Sequence, residues 1–158
     1  RDSDPLTGLL NRRGFEERMR AAERSNLSGW IVACDIDHFK TINDLHGHAV
    51  GDAVLKEFSD ILQSYSGDRN LTARIGGEEF ILYLDDMPSD EALALVETIR
   101  ETVNARQFAR LSEGQQVTCS FGAAKLESHG DFWKTVEAAD KILYAAKEAG
   151  RNRTFFGS

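Results

Sequence analysis

Two places in the sequence carry acids that a metal ion or a phosphate ester could use. Asp35-Ile36-Asp37 closes an apolar run that begins at Trp30. If that run is a strand, side chains alternate, so Asp35 and Asp37 share a face and Ile36 points into the core. Carboxylates at a strand end suit Mg2+, a hard ion that prefers oxygen and keeps phosphate oxygens as further ligands. The same pair also fits helix capping or solvated charge. The second place is Gly76-Gly77-Glu78-Glu79. Adjacent acids on a tight turn repel unless a cation or solvent relieves them, and the glycines let a bulky ligand approach the backbone. An exposed acidic turn is the plain alternative. Cations follow near the end of the chain. Lys147 and Arg151 are four apart and could share a helix face, although Gly150 between them can end the helix first. They suit the negative end of a helix dipole, and two such groups could equally grip a triphosphate tail.

These residues need a scaffold, and the chain alternates elements without a linker. Asn11 caps a first helix that carries Phe15 and Met19 four apart. Trp30 to Ile36 is a buried strand ending in acid. Val54, Leu55, Phe58, Ile61, Leu62 and Tyr65 recur at helical spacing, predicting an amphipathic helix after Gly51. Leu71–Ile75 and Phe80–Leu84 are two short strands around the Gly-Gly-Glu-Glu turn, a hairpin in which the glycines supply backbone freedom. Ser89-Asp90-Glu91 opens a helix with Leu95, Val96, Ile99 and Val103 on one face. Val117–Ala124 is a strand, Asp131–Ala149 a helix stopped by Gly150, and Thr154-Phe155-Phe156 a last strand. Long helices mixed with hairpin-linked strands indicate an α+β fold with a mainly antiparallel central sheet surrounded by helices.

The bulk properties fit one soluble domain spanning residues 1–158. Net charge is −7, which argues against an electrostatic footprint for nucleic acid. It leaves room for a small phosphate ligand, since metal ions neutralise carboxylates and phosphates together. Apolar runs such as Trp30–Cys34 and Ala92–Val96 fall far short of the ~20 residues of a membrane span. The opening Arg1-Asp2-Ser3-Asp4 has no early apolar stretch, so no leader is expected and the location expected is cytoplasmic. Cys34 and Cys119 sit in strand-like segments as buried, reduced thiols.

Several stretches together resemble one family. Arg74-Ile75-Gly76-Gly77-Glu78-Glu79-Phe80 matches the signature of the GGDEF family, in the variant with Glu at its third position. Asp4-Pro5-Leu6-Thr7-Gly8-Leu9-Leu10-Asn11-Arg12 is similar to the family's opening motif. Asp35-Ile36-Asp37-His38-Phe39-Lys40, Asn43-Asp44, Gly47-His48 and Gly51-Asp52 resemble its substrate segment. Thr118 to Gly122, and Ala139-Asp140 through Leu143-Tyr144, Ala146-Lys147 and Gly150-Arg151-Asn152, match its C-terminal motifs.

The resemblance implies a palm-like fold, similar to nucleotidyl cyclases and polymerase palms. It implies a diguanylate cyclase, which condenses two GTP into cyclic di-GMP and two pyrophosphates in bacterial second-messenger signalling. Asp35, the Ile36 carbonyl, Glu78 and Glu79 would bind two Mg2+ ions per site, with Mn2+ an alternative. Amides after Ile36, through Phe39 and Lys40, would cradle phosphates, and Lys147 and Arg151 would hold the terminal ones. Lys40 would neutralise developing charge. Glu78 is assigned as the base toward the attacking 3′-hydroxyl, a role hard to separate from metal binding because Mg2+ itself lowers that hydroxyl's pKa.

Asn43 and Asp52 match the guanine-binding positions. An ionised carboxylate only accepts, and guanine offers N1–H and N2–H2 donors that adenine lacks, so Asp52 favours GTP. Phe39 and Leu55 would wall the base, Leu55 fitting the core stripe equally well. His48 falls at a further substrate-side position that also suits a structural hydrogen bond. One departure stands out: where many members carry an Arg-x-x-Asp product-inhibition motif, this chain has Gly67-Asp68-Arg69-Asn70, so that site is expected to be absent. Joining two GTP symmetrically calls for a homodimer with facing active sites. The chain begins almost on the opening motif, so an upstream sensory or dimerising region is expected in a longer protein. The rivals are a silent GTP or cyclic di-GMP receptor, a cyclase with another product, and a purely structural interaction domain.

Overall fold

The computed structural model describes residues 1–127 and 130–157. In chain order the elements are α1 (Arg12–Glu23), β1 (Gly29–Ile36), α2 (Phe39–His46), α3 (His48–Ser64), β2 (Leu71–Arg74), β3 (Glu79–Asp85), α4 (Ser89–Ala105), β4 (Cys119–Lys125), α5 (Phe132–Glu148) and β5 (Thr154–Phe156). The strands form one sheet in the order β2-β3-β1-β4-β5. Every pairing is antiparallel except β4 with β5. The α+β expectation of a mainly antiparallel sheet flanked by helices holds.

The central strand β1 is buried along its whole length, and its alternation divides the core in two. Trp30, Val32, Cys34 and Ile36 pack with α2, α3 and α4 through Phe39, Ile42, Phe58, Leu62, Val96 and Ile99. Ile31 and Ala33 face the other way, toward Phe15 and Met19 of α1 and Phe132, Val136, Ala139 and Leu143 of α5. Asp35 continues this second row. A carboxylate therefore stands where the apolar row beneath α5 runs out.

Helix α5 lies flush on β4 because Gly122 has no side chain. A Cβ there would fall 2.1 Å from the Leu143 nitrogen and 2.6 Å from the Ala139 carbonyl oxygen. Two boundaries differ from expectation. Helix α2 was not foreseen as an element: it is eight residues long and buries only Phe39 and Ile42, too little for a periodic signal. Helix α3 starts at His48 rather than after Gly51, with Gly47 at its N-cap in a positive-φ conformation. Cys34 and Cys119 are both buried and unpaired. No helix among the described residues is long and apolar enough to cross a membrane.

Candidate active site

Asp35 is 4% exposed, and its two oxygens have different surroundings. Oδ2 accepts a hydrogen bond and ion pair from the Lys147 ammonium in the last turn of α5. Oδ1 is buried with no partner among the described residues. A buried acceptor left open is costly, about 1–3 kcal/mol, and seldom persists without a purpose. Burial pushes the Asp35 carboxyl up to about 6; Lys147 opposes that rise, and the charges of Glu78 and Asp37 add to it. Burial thus outweighs the pull of Lys147 at Asp35.

The acids beside Asp35 come from the β2–β3 hairpin. Register pairs Asp35 with Glu79 and Cys34 with Phe80, so the Gly76–Glu79 turn hangs at the carboxyl end of β1. Neither Gly76 nor Gly77 adopts positive φ, contrary to the turn chemistry expected of them. Only at Gly76 is space short: a Cβ there would lie 2.9 Å from Glu79 Oε1, whereas one on Gly77 would meet nothing within 4 Å. Arg74 fixes the turn, donating from Nε and Nη2 to the Gly77 carbonyl at 2.9 and 2.7 Å. Its Nη1 reaches the Asp4 carboxylate at 3.1 Å. Asp4 also accepts from the Thr7 amide and hydroxyl, which ties the opening segment to the acidic turn.

Asp37 stays on the Asp35 face, but its oxygens are committed elsewhere. The strand ends at Ile36 and the chain turns through His38, whose φ is 55°. Asp37 accepts from Ser120 Oγ and Thr118 Oγ1, both at 2.7 Å, and from the Asn152 amide at 2.9 Å. Its lone pairs are spent inside the fold. Ile36, the last residue of β1, is 1% exposed and packs in the core.

Lys147 and Arg151 are also not neighbours on one helix face. Helix α5 ends at Glu148, and Gly150 (φ +128) and Arg151 (φ +62) follow in left-handed geometry. The Gly150 amide donates to the Lys147 carbonyl and the Arg151 amide to the Ala146 carbonyl. That pair of bonds is a Schellman cap, which places Gly150 at C′. Arg151 is half-buried, and its guanidinium forms no hydrogen bond or ion pair among the described residues.

The remaining predicted residues lie on the α2–α3 side. Gly51 lets the two helices touch: a Cβ there would fall 1.8 Å from Asn43 Oδ1 and 3.3 Å from the Phe39 ring. Asn43 and Phe39 therefore meet at the turn of α3 that carries Asp52, which is exposed, as is His48. Leu55, expected as a wall for the base, is 2% exposed and belongs to the core. Phe39 is 6% exposed and also packs in the core. Lys40 points along α2 to Asp44 at 2.9 Å, with 86% of its side chain exposed. Such an exposed pair is worth little and releases readily.

Residues 1–153 match the family described as "Diguanylate cyclase, GGDEF domain". The chain belongs to the GGDEF family. It is 39% identical over 155 residues to diguanylate cyclase DgcP of Pseudomonas aeruginosa, covering 96% of this chain and 23% of that protein. It is 38% identical to the probable diguanylate cyclase DgcT of Escherichia coli, over 95% of this chain and 34% of that one. Among solved structures, the P. aeruginosa diguanylate cyclase SiaD, in complex with its activator SiaC, superposes with a TM-score of 0.91 at 36% identity, over 98% of this chain and 61% of that one. The active GGEEF domain of a Vibrio cholerae diguanylate cyclase superposes at 0.83 with 32% identity, over 94% and 97% of the two chains. The chain spans between 23% and 50% of the length of the first curated relatives it matches.

Diguanylate cyclases of this family generally depend on a divalent metal, and the site accommodates one. Among the described residues no three acidic, imidazole or thiol side chains converge closely enough to hold an ion by themselves. Asp35 nevertheless presents a buried, unpartnered oxygen beside the charge of Glu78. A hard ion that takes its remaining ligands from phosphate and water needs no full protein cage.

Sequence reasoning passed over part of this GGDEF site. A cleft of about 500 Å³ is lined by Asp35, Glu79 and Lys147 together with Arg12, Asp140 and Tyr144. Asp140, Tyr144 and Lys147 follow at helical intervals on α5, a pattern that could have been read as a polar stripe. Burial, and then the Glu79 charge, raise the Asp140 carboxyl above its ordinary value, with Lys147 opposing. Arg12 stacks over the Trp133 ring with its guanidinium carbon 4.1 Å from the centroid, closing the cleft toward α1.

Proposed function

We propose that this chain is a catalytically active diguanylate cyclase domain that condenses two GTP molecules into cyclic di-GMP with release of two pyrophosphates. The observation that carries the proposal is the buried Asp35 carboxylate, with one oxygen on Lys147 and the other open beside the Glu78–Glu79 turn. A buried carboxylate with one oxygen open beside further acids fits a site completed by a divalent ion and a polyphosphate.

Asp35, the Ile36 carbonyl, Glu78 and Glu79 would hold Mg2+ or Mn2+, two ions when substrate is bound. The metal would supply Lewis-acid neutralisation of phosphate charge and a lowered pKa for the attacking 3′-hydroxyl. The protein's part is to bind and align. The amides opening α2 meet no side-chain cap, which leaves them for phosphate oxygens. Lys147 and Arg151 would take the terminal phosphates, and Lys40 would swing from Asp44 to neutralise charge at the α-phosphate. Asn43 and Asp52 would read the guanine edge, with His48 at its margin and Phe39 and Leu55 backing it from the core. Glu78 would accept the hydroxyl proton or fix the metal. Either role positions the in-line displacement, in which alignment and charge neutralisation supply most of the rate.

Two protomers must face each other, because one domain holds one GTP and the product is symmetric. The domain would work in the cytoplasm as part of a longer protein. Product inhibition through an Arg-x-x-Asp site would be absent. Arg69, the only cation in that stretch, forks onto Asp85 at 2.7 and 3.0 Å, and Asn70 accepts from the Asp85 amide.

The test is incubation of concentrated protein with GTP and Mg2+, read by mass-resolved chromatography beside Glu78→Gln. Cyclic di-GMP from the parent and none from the variant is the expected result. GTP binding without product, even when a fused coiled coil forces dimerisation, would replace the cyclase with a receptor.

A further inference from the structure

We propose that Arg100, on α4, is a positioning residue for the triphosphate: it clamps Asn152, and through Asn152 it aims Arg151. The inference rests on the phosphate role proposed for Arg151. It starts from a backbone anomaly. Arg151 and Asn152 follow each other at φ 62° and 48°, both left-handed, and only Gly150 before them has no side chain to object. Residues bearing a Cβ visit this region sparsely and persist there when their surroundings over-determine them. The Schellman cap accounts for Gly150 and for the Arg151 amide. It does not account for Asn152.

Asn152 is held from two sides. From the sheet, its amide donates to Asp37 Oδ2 at 2.9 Å and to Ser120 Oγ at 3.1 Å. Asp37 is in turn fixed by Ser120 and Thr118 hydroxyls. From α4, Arg100 Nη1 donates to Asn152 Oδ1 at 2.9 Å and to its carbonyl at 3.4 Å. The other edge of the guanidinium is locked by Glu97, with Nε and Nη2 each 2.9 Å from a carboxylate oxygen. A planar fork bound on both edges cannot turn without breaking four contacts. Arg100 lies 52 residues before Asn152, on the opposite side of the sheet from α5.

The consequence falls on the residue between the anchors. Arg151 sits between the Schellman cap and the Asn152 clamp, with its backbone fixed at both ends and its guanidinium uncommitted among the described residues. Pre-set geometry of this kind raises affinity by removing the ordering cost of a long cationic side chain. Arg100 touches no nucleotide itself. Its effect should therefore appear only with ligands long enough to reach Arg151.

The experiment compares binding of guanosine 5′-(α,β-methylene)triphosphate, which cannot be cleaved at the α-phosphate, with binding of GMP, both with Mg2+. The proteins are the parent, Arg100→Ala, Arg151→Ala and the double variant. Arg100→Ala should lose about tenfold in affinity for the triphosphate, the scale of one charge-assisted hydrogen bond, with GMP changed by less than about twofold. The double variant should bind no worse than Arg151→Ala, because both act through one side chain. Should Arg100→Ala fail to fold by its thermal melt, Asn152→Ala removes the same acceptor and disfavours left-handed φ, and the same pattern is expected of it. An unchanged triphosphate-to-GMP ratio, or losses that simply add, would overturn the clamp. An unchanged ratio in Arg151→Ala would remove the phosphate role of Arg151 itself, and the clamp with it.

Discussion

Removing the charge of Asp35 should make the metal-free domain more stable while abolishing its chemistry. Burial raises the Asp35 carboxyl from 3.8 to about 6 despite the Lys147 ion pair. At about 1.4 kcal/mol for each tenfold change in proton affinity, that rise corresponds to about 3 kcal/mol. The sign follows from proton counting. Between about pH 4 and 6 the folded state holds a proton that the unfolded chain has released, so stability falls as pH rises. The stabilisation is fully present below the unfolded value of 3.8 and lost once pH passes about 6. Asn has the shape of the neutral acid and never ionises. At pH 7.5 without metal, Asp35→Asn should gain up to about 3 kcal/mol, or roughly 6–12 °C in thermal midpoint for a chain of this size. The Lys147 side chain is 29% exposed and can hydrate once its partner is neutral.

Thermal melts by circular dichroism at pH 4, 5, 6 and 7.5, without metal, test this directly. Parent and variant should converge at the acid end and separate as pH rises. Adding Mg2+ with a non-cleavable GTP analogue should then stabilise the parent and leave the variant unmoved, since ligand binding stabilises only the form that binds. A parent-to-variant stability difference that stays flat between pH 4 and 6, or a metal-free variant less stable than the parent at pH 7.5, would refute the reasoning. A variant that responds to Mg2+ like the parent would remove Asp35 from the metal site.

Other substitutions probe the contacts that position the site. Gly122→Ala puts a methyl against the α5 backbone at Leu143 and Ala139; urea unfolding should show a loss of about 1–3 kcal/mol or more, and turnover should fall because Lys147 rides on α5. Gly51→Ala meets the Asn43 side chain rather than backbone. The fold should survive while GTP affinity, measured by equilibrium dialysis, drops about tenfold from one displaced hydrogen bond. Titrating cyclic di-GMP into the turnover assay should give only weak inhibition, because Arg69 is engaged by Asp85; strong noncompetitive inhibition would show that a feedback site exists without the Arg-x-x-Asp motif.

The fold was legible wherever a residue's neighbours in sequence determine its surroundings. The Asn11 cap, the Trp30–Ile36 strand, the hairpin and the α5 boundaries all follow from local patterns, and each lies within about two residues of its expected position. Helix α2 escaped because Phe39 and Ile42 are its only buried residues, so no period is visible. Site residues divide in the same way. Strand alternation carries Asp35 to the edge of the α5 face, so its position is legible as an acid at the end of an apolar strand. Asp37 stays on the same face by the same alternation, bonded to Ser120 opposite Asp35 and to Thr118, but those bonds take up its oxygens, which the local pattern does not reveal. Lys147 and Arg151 suggested an i, i+4 pair, whereas a Schellman cap rather than a helical turn brings Arg151 round. What remained hidden is long-range. Neither the hold of Arg74 on Asp4, 70 residues away, nor that of Arg100 on Asn152 leaves a mark in local sequence. Those distant forks hold the backbone on which the legible residues stand.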